Sequence, residues 1–165
     1  MSSVLEKLAK KITGPPKRIT VDQSDILAEI LPLYKGPEFD PSQPVRVVFN
    51  DQPAVDSGGP RKEMYSLVYE KLASSTVYKL FEGQAGCLMP FYNASNAFSG
   101  MMKTLGKMIA HSIVQCGIGL PVFSPVCYWY LISGDVSKAL AYANLTDIRD
   151  PDAAVLTERV SLQHE

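Results

Sequence analysis

The sequence is poor in the residues on which disulfide-rich or metal-stabilised domains depend. Its 165 residues include three cysteines, one tryptophan and two histidines. Cys87, Cys116 and Cys127 are odd in number, and none of them belongs to a Cys-x-x-Cys pair. Such spacing predicts neither a disulfide framework nor a zinc site, and it is typical of a reducing compartment. We therefore expect an intracellular protein, cytoplasmic or nuclear, that holds no metal and no cofactor.

An excess of positive charge and long hydrophobic runs are also absent. The formal net charge is −1 and the isoelectric point is about 6.1, which gives no electrostatic reason to expect nucleic acid or an anionic membrane as a partner. No apolar run reaches the roughly 20 residues of a membrane helix. The N-terminus mixes lysines and Glu6 into its apolar residues, unlike a signal peptide. The sequence predicts a soluble protein that binds neither nucleic acid nor membranes.

The composition is that of a globular chain, with 46% hydrophobic and 20% charged residues. Apolar residues at helical spacing predict a short amphipathic helix or tail over residues 1–19, followed by one domain over residues 20–165. The expected fold class is α+β and mostly helical, with short strands or a hairpin. The first predicted elements are a helix capped by Ser24 or Asp25, a strand at Val45–Phe49 and a helix over 62–73. A hairpin of strands 77–81 and 87–91 follows, and then one long helix from Phe98 to Cys116 capped by Asn96. The last predicted helices begin at Ser124-Pro125, Asp135 and Asp150-Pro151.

The most informative run joins the strand Val45–Phe49 to a helix. It contains Asp56-Ser57-Gly58-Gly59 and then Arg61 and Glu63. A glycine pair permits positive φ and close backbone approach, so the pattern predicts a tight strand-to-helix connection supported by the charged residues. An anion-binding turn formed by successive backbone N–H groups is the alternative.

This run resembles the opening of the HECT domain, the catalytic module of one class of ubiquitin ligases. A second stretch, Leu105-Gly106-Lys107, is similar to the Leu-Gly-basic helix of that family and follows in the same order. The resemblance covers residues from about 20 to 148 and implies the first part of a HECT N-terminal lobe. It implies structural roles for the family-motif residues Asp56, Gly58, Gly59, Arg61, Glu63, Leu105 and Gly106.

HECT ligases carry ubiquitin as a thioester on a cysteine of a C-terminal lobe, after the N-terminal lobe has bound a ubiquitin-conjugating enzyme. That cysteine follows a threonine in the family, whereas Cys87, Cys116 and Cys127 follow Gly86, Gln115 and Val126. The resemblance therefore implies a chain that is inactive by itself and has no catalytic residue. Its partners would be proteins of the ubiquitin pathway, if the rest of the domain is present.

Two further hypotheses remain open. The chain is a stand-alone interaction module on a HECT-like scaffold, able to form homo-oligomers through exposed apolar surface, or it is an independent hydrolase. The hydrolase has little support, because Ser57 has no histidine base nearby in sequence and His111 precedes Cys116 by five positions, which puts the two on different helix faces. The adjacent aromatic residues Tyr128, Trp129 and Tyr130 cannot share one helix face, so one of them can be exposed to a partner.

Overall fold

The computed structural model describes residues 3–50, 58–148 and 150–161. The predicted fold class is confirmed, because the described residues form a mostly helical α+β structure with short strands in two separate two-stranded sheets. They group into two compact units. The first comprises Met1–Leu80 and Tyr92–Leu120, and the second comprises Phe81–Phe91 and Pro121–Glu165.

The first unit contains five helices and a parallel pair of strands among its described residues. The strand Lys17–Val21 lies beside the strand Val45–Phe49, with Lys17 opposite Val45 and Val21 opposite Phe49. Parallel strands need a crossover connection, and the helix Ile26–Lys35 provides it. The elements are α1 (Ser3–Ala9), β1 (Lys17–Val21), α2 (Ile26–Lys35), β2 (Val45–Phe49), α3 (Gly59–Ser74), α4 (Ala94–Ser99) and α5 (Met101–Cys116).

The predicted strand Val45–Phe49 is confirmed, with the expected alternation of inward and outward residues. Val45, Val47 and Phe49 are buried, whereas Arg46 is exposed. Strand β1 was not predicted, because its sequence Lys-Arg-Ile-Thr-Val is largely polar. Backbone pairing with β2 stabilises this strand, because its largely polar side chains contribute little apolar burial. Val21 at its end is fully buried.

Helices α2, α3 and α5 surround the core of the first unit. The helix predicted over 62–73 is confirmed and begins three residues earlier, with Pro60 in its first turn, where a missing N–H has no cost. The sequence places Tyr65 and Tyr69 at the flanks of the apolar stripe, yet both are buried. Their hydroxyl groups have buried hydrogen-bond partners, and this makes their burial possible.

The single helix expected from Phe98 to Cys116 is instead two helices, α4 and α5. Gly100 separates them in the left-handed region at φ +70°. Its N–H donates to the carbonyl groups of Ala97 and Asn96, which closes α4 in a manner common at helix C-termini. Phe98, expected in the buried stripe, is 91% exposed. The apolar periodicity continues across the break, so spacing alone could not locate it.

The predicted cap for this segment is also different. Asn93 caps α4 by accepting the N–H groups of Ser95 and Asn96, whereas Asn96 itself is buried. The side-chain amide of Asn96 donates to the carbonyl of Tyr78. At α2, Asp25 occupies the cap position but makes no side-chain cap hydrogen bond, so that predicted role is wrong.

The second unit combines an antiparallel hairpin with short helices. The first strand of the hairpin, expected at 77–81, instead runs from Phe81 to Gln84, and the second begins at Cys87 as expected. A two-residue turn therefore replaces the loop expected over 82–86. Gly86, the second central residue of that turn, has φ +76°, a conformation that favours glycine. The elements are β3 (Phe81–Gln84), β4 (Cys87–Pro90), α6 (Pro125–Ser133), α7 (Val136–Leu140), a 3-10 helix (Leu145–Asp147) and α8 (Pro151–Ser161).

The predicted helix starts of this unit are confirmed. The Ser124 hydroxyl accepts the N–H of Cys127 at the start of α6, and Asp135 accepts two backbone N–H groups of α7. Asp150 does the same for α8, accepting from Asp152 and Ala153. These local signals are reliable because a cap and its partners lie within three residues of each other.

The longest described helices, α3 and α5, each contain 16 residues. In the part of the chain that the structure describes, no helix is both long and apolar enough to cross a membrane.

Two glycines of the α4–α5 segment provide a matched test of backbone geometry. We expect Gly100→Ala to destabilise the protein by about 1–2 kcal/mol, because alanine is strained at positive φ. Gly106→Ala should stabilise it by about 0.5–1 kcal/mol, because Gly106 lies inside α5 with no atom within 4 Å of the added Cβ. Urea unfolding followed by circular dichroism measures both. Changes of the same sign would contradict the break at Gly100.

Candidate functional site

The structure describes the helix side of the strand-to-helix junction, from Gly58 onward. Gly58 precedes α3 with φ +101°, which explains a glycine at this position. Gly59 is the first residue of α3 and has no neighbour within 4 Å of where a Cβ would lie. Asp56 and Ser57 lie outside the described residues. The backbone therefore requires glycine at the first of the two positions.

The charged residues of the junction have separate partners. A terminal nitrogen of Arg61 donates to the carbonyl of Val45 at 3.3 Å, so this side chain connects α3 to the start of β2. Glu63 is exposed and accepts a hydrogen bond from the Gln23 side chain at 3.2 Å. Arg61 and Glu63 thus connect α3 to two different segments of the first unit.

A recess beside the junction is positively charged. It has a volume of about 390 Å³ and is lined by Arg46 and Arg61 together with Pro16, Pro44 and Val45. The buried Nε of Arg61 has no hydrogen-bond partner among the described residues. Guanidinium groups recognise carboxylate and phosphate, so the recess is compatible with the anion-binding alternative.

A chain of buried polar groups links the three core helices. The hydroxyl of Tyr34 on α2 lies 2.6 Å from that of Tyr65 on α3 and 2.9 Å from Nδ1 of His111 on α5. The other ring nitrogen of His111, Nε2, lies 2.6 Å from the side-chain nitrogen of Gln115. This network is not predicted by the sequence, since Tyr34 and His111 are 77 residues apart.

Gln115 determines the direction of these hydrogen bonds. Its amide oxygen accepts the N–H of Val45 on β2, and its amide nitrogen donates to the carbonyl of Gln43. The second amide hydrogen then donates to Nε2 of His111, which must carry no proton. The proton of His111 is therefore on Nδ1 and is donated to Tyr34, whose own hydroxyl donates to Tyr65.

Burial keeps this network neutral. It raises the pKa of Tyr65 to about 12 and raises the pKa values of Tyr34 and Tyr69 as well. It lowers the pKa of His111 below its ordinary value, and the charge of Arg61 acts in the same direction against an opposing contribution from Asp40. Because His111 is only 4% exposed and both its nitrogens are engaged, it holds helices together and does not face a substrate.

Two of the three cysteines lie in surroundings that disfavour the thiolate. The Sγ of Cys116 donates to the carbonyl of Ser112, and burial raises the pKa of this thiol. Burial also raises the pKa of the Cys127 thiol, and the charge of Asp147 adds to the effect. Cys87 is half-buried in β4. Since His111 is bonded to Tyr34 and Gln115, no cysteine–histidine pair forms in the described structure.

The Leu105-Gly106-Lys107 stretch lies in the middle of α5. Leu105 is buried in the core, whereas Gly106 is exposed and open around its Cα. The ammonium of Lys107 lies 5.8 Å from the centre of the Phe39 ring, within the range of a cation–π contact. Leu105 thus has a packing role, but the described structure gives no steric reason for glycine at 106.

The aromatic residues of α6 are largely outside the core. Tyr128 and Tyr130 are 52% and 50% exposed. Trp129 stacks on Tyr142, with ring centres 4.6 Å apart. The expectation that one of the three can be exposed is therefore exceeded, because the two tyrosines both face solvent.

Comparisons with known proteins do not identify a family. No protein-family model matches the chain. No curated protein matches it either. The HECT resemblance therefore rests on the residues quoted for it and stays a prediction. Among the described side chains, no group of three or more His, Cys, Asp or Glu is arranged to hold a metal ion.

The neutral state of His111 predicts a pH dependence of stability. Its folded pKa is lowered from 6.5, so the unfolded chain binds a proton more readily than the folded one. The stability that His111 contributes is present above pH 6.5 and is lost as the pH falls towards its folded pKa. Urea unfolding at pH values on either side of 6.5 should show this loss.

The matched control is His111→Gln, which has no titrating ring. This variant is expected to be less stable at every pH, because the network loses a partner. The difference in unfolding free energy between neutral and mildly acidic pH should nevertheless shrink. An unchanged pH dependence in the variant would exclude His111 as its source.

Proposed function

We propose that the chain is a scaffold portion of a HECT-type ubiquitin ligase domain and carries no thioester-forming cysteine. The observation that carries the proposal is spatial. The two stretches that resemble the family are separated in sequence, yet their described residues lie on α3 with its N-cap Gly58 and on α5 of the same unit. The Tyr69 hydroxyl on α3 and the Ser112 hydroxyl on α5 are 2.5 Å apart. Two motifs of one family are expected to belong to one packed structure.

The structural roles of the motif residues are compatible with a scaffold. Gly58 permits the turn before α3, Arg61 connects that helix to β2, and Leu105 packs in the core. These are contacts that position elements, although Arg61 also lines the open recess beside the junction. The proposal therefore assigns a structural role to the family motif in this chain.

Two of the three thiols support the proposed absence of transfer chemistry. A thioester acceptor must be an accessible cysteine that forms a thiolate. Burial raises the pKa values of Cys116 and Cys127 and disfavours the thiolate of each. Proteins of the ubiquitin pathway are the proposed partners of the complete domain. Because ubiquitin conjugation takes place inside cells, the proposal implies an intracellular location.

A second candidate function is a protein-interaction module on the same scaffold. Exposed apolar side chains on α6 and α7 favour it, including Tyr128, Leu131 and Leu140. Large exposed apolar patches commonly mark sites of protein association. The two candidate functions are compatible, because a scaffold without catalytic chemistry acts by binding.

The direct test is a thioester assay. Incubated with activating enzyme, a panel of conjugating enzymes, ATP and ubiquitin, the chain is expected to form no adduct that a thiol reductant removes. An active HECT domain serves as the positive control. A reducible adduct that disappears in Cys87→Ser, Cys116→Ser or Cys127→Ser would overturn the proposed absence of transfer activity.

A chimera tests the family assignment itself. Residues 20–148 would replace the corresponding part of an active HECT ligase, and we expect the chimera to retain measurable thioester formation. The matched control carries Gly58→Val, which is strained at φ +101° and should reduce the activity of the chimera. A chimera that folds but cannot be charged with ubiquitin would count against the HECT scaffold.

A further inference from the structure

Two arginines lie side by side on the solvent-facing side of the β1–β2 sheet. Arg18 on β1 is opposite Arg46 on β2, and both residues are exposed. Adjacent strands are about 4.8 Å apart, and like charges on opposed residues of neighbouring strands destabilise a sheet. Within residues 3–50, 58–148 and 150–161, neither guanidinium group has a hydrogen bond or an ion pair. The described part of the fold therefore brings two positive charges together without neutralising them.

Arg61 adds a third guanidinium group near the start of β2. It comes from the first turn of α3, and one of its terminal nitrogens donates to the carbonyl of Val45 at 3.3 Å. The other terminal nitrogen lies 3.8 Å from where a Cβ on Gly58 would be. The guanidinium is thus held between β2 and the N-terminus of α3. We define the arginine recess as the cavity of about 390 Å³ that is lined by Pro16, Pro44, Val45, Arg46 and Arg61.

The charge of Arg61 is not compensated within the described structure. A guanidinium has five N–H donors, and the bond to Val45 uses one of them. The Nε of Arg61 is buried and has no partner among the described residues. Glu63, the first acidic residue of α3, is two positions further on, so it lies on a different side of the helix, where it accepts a hydrogen bond from Gln23. An anion in the arginine recess would supply the missing negative charge.

The lining of the arginine recess favours an oxyanion with two negative charges. Its charged groups are two arginines, and its prolines have no N–H to donate. Guanidinium groups match the oxygens of carboxylate and phosphate in paired hydrogen bonds. A phosphate monoester carries about −1.5 to −2 charge at pH 7 and has three strong acceptor oxygens, whereas a carboxylate carries a single charge. A phosphate monoester can therefore neutralise both arginines at once.

The size and position of the arginine recess suit a phosphate that is attached to a protein. Its volume is near the lower end of the range of about 300–1,000 Å³ for ligand pockets. Pro16 and Arg46 are exposed, so the recess opens to the surface, and a side chain that ends in phosphate can enter while its main chain stays outside. A lipid headgroup is disfavoured, because a broad basic surface strengthens binding to an anionic membrane and the net charge here is −1.

We infer that the arginine recess binds the phosphate group of a phosphorylated side chain on a partner protein. Arg46 would bind two phosphate oxygens in the paired geometry of a guanidinium. Arg61 would bind the phosphate through donors that Val45 does not use. Arg18 does not line the recess and would add positive potential from the neighbouring strand. This inference rests on the interaction-module candidate and names the chemistry that its partner presents.

Titration of the full chain with a small phosphate probe, followed by nitrogen–proton NMR at constant ionic strength, tests the inference. N-acetyl-O-phosphoserine methylamide should shift the amide signals of Arg46 and Arg61. It should bind about 10-fold more tightly than N-acetylglutamate methylamide, which offers one negative charge. Arg46→Gln should weaken binding of the phosphate probe by about 10-fold or more. Arg46→Lys should restore only part of the affinity, because an ammonium lacks the paired geometry.

Arg46 is the position to change because its side chain is exposed, whereas Arg61→Gln would also remove the hydrogen bond to Val45. Urea unfolding gives a second measurement. Without phosphate, Arg46→Gln should be at least as stable as the wild type, because the repulsion between Arg18 and Arg46 is relieved. Inorganic phosphate should stabilise the wild type more than the variant, since a ligand stabilises only the folded state that binds it.

Lys62→Gln is the matched control. Lys62 follows Arg61 on α3, is exposed and does not line the arginine recess. Its loss removes the same unit of charge from the same region, where solvent and salt screen its effect on the recess. The affinity of this variant for the phosphate probe should stay within about 2-fold of the wild type.

A degenerate peptide library identifies the source of the phosphate. Immobilised wild-type chain should retain peptides with a central phosphoserine, phosphothreonine or phosphotyrosine and should not retain their unphosphorylated counterparts. The Arg46→Gln variant should lose this retention. Vesicles that contain phosphatidic acid are the comparison. Stronger binding to the vesicles than to any phosphopeptide would assign the recess to a membrane surface and overturn the inference.

Three further results would overturn the inference. They are unchanged Arg46 and Arg61 signals at saturating probe, equal losses of affinity in Lys62→Gln and Arg46→Gln, and binding of inorganic phosphate without retention of any phosphopeptide. None of these results bears on the HECT scaffold, which the thioester assay and the chimera test separately. They also leave the exposed apolar side chains of α6 and α7 as support for the interaction module, so failure of the inference and failure of that candidate are distinguishable.

Discussion

The first unit depends on burying a chain of polar groups whose hydrogen bonds are all made inside the protein. A hydroxyl, an imidazole or an amide loses its water when buried, and leaving it unpaired costs about 1–3 kcal/mol. Tyr34, Tyr65, His111 and Gln115 avoid that cost by bonding to one another and to the backbone of Val45. Because these groups come from α2, α3, α5 and β2, satisfying them requires all four elements to be in place together.

This requirement also explains the position of the strand-to-helix junction. Val45 at the start of β2 donates its N–H to Gln115 of α5, and its carbonyl accepts from Arg61 of α3. Both backbone groups of one residue are therefore used by side chains from different helices. The two elements on either side of the junction, β2 and α3, are therefore held by contacts outside the loop that joins them. A motif that looks local in sequence, from Val45 to Glu63, is stabilised by a helix that begins at Met101.

Elements with local signals could be predicted from the sequence, and those determined at long range could not. Ser124, Asp135 and Asp150 cap helices through partners within three residues, and β2 follows from its own alternation. The Tyr34–His111 hydrogen bond joins residues 77 positions apart, so no short stretch of sequence contains both partners. Strand β1 owes its existence to pairing with β2. Gly100 was missed because apolar spacing continues across it, although a glycine at a helix end is itself a local signal.

The two units differ in the burial of the residue types that commonly have functional roles. In the first unit, His111 and the core tyrosines are hydrogen-bonded, buried and neutral. These titratable side chains therefore do not face a substrate. In the second, the aromatic and aliphatic residues of α6 face solvent although the helix has no charge to make that exposure favourable. Exposing apolar area costs roughly 25 cal/mol per Å², so the free chain forgoes favourable burial along this helix. Exposed apolar area of this kind commonly marks a site of protein association.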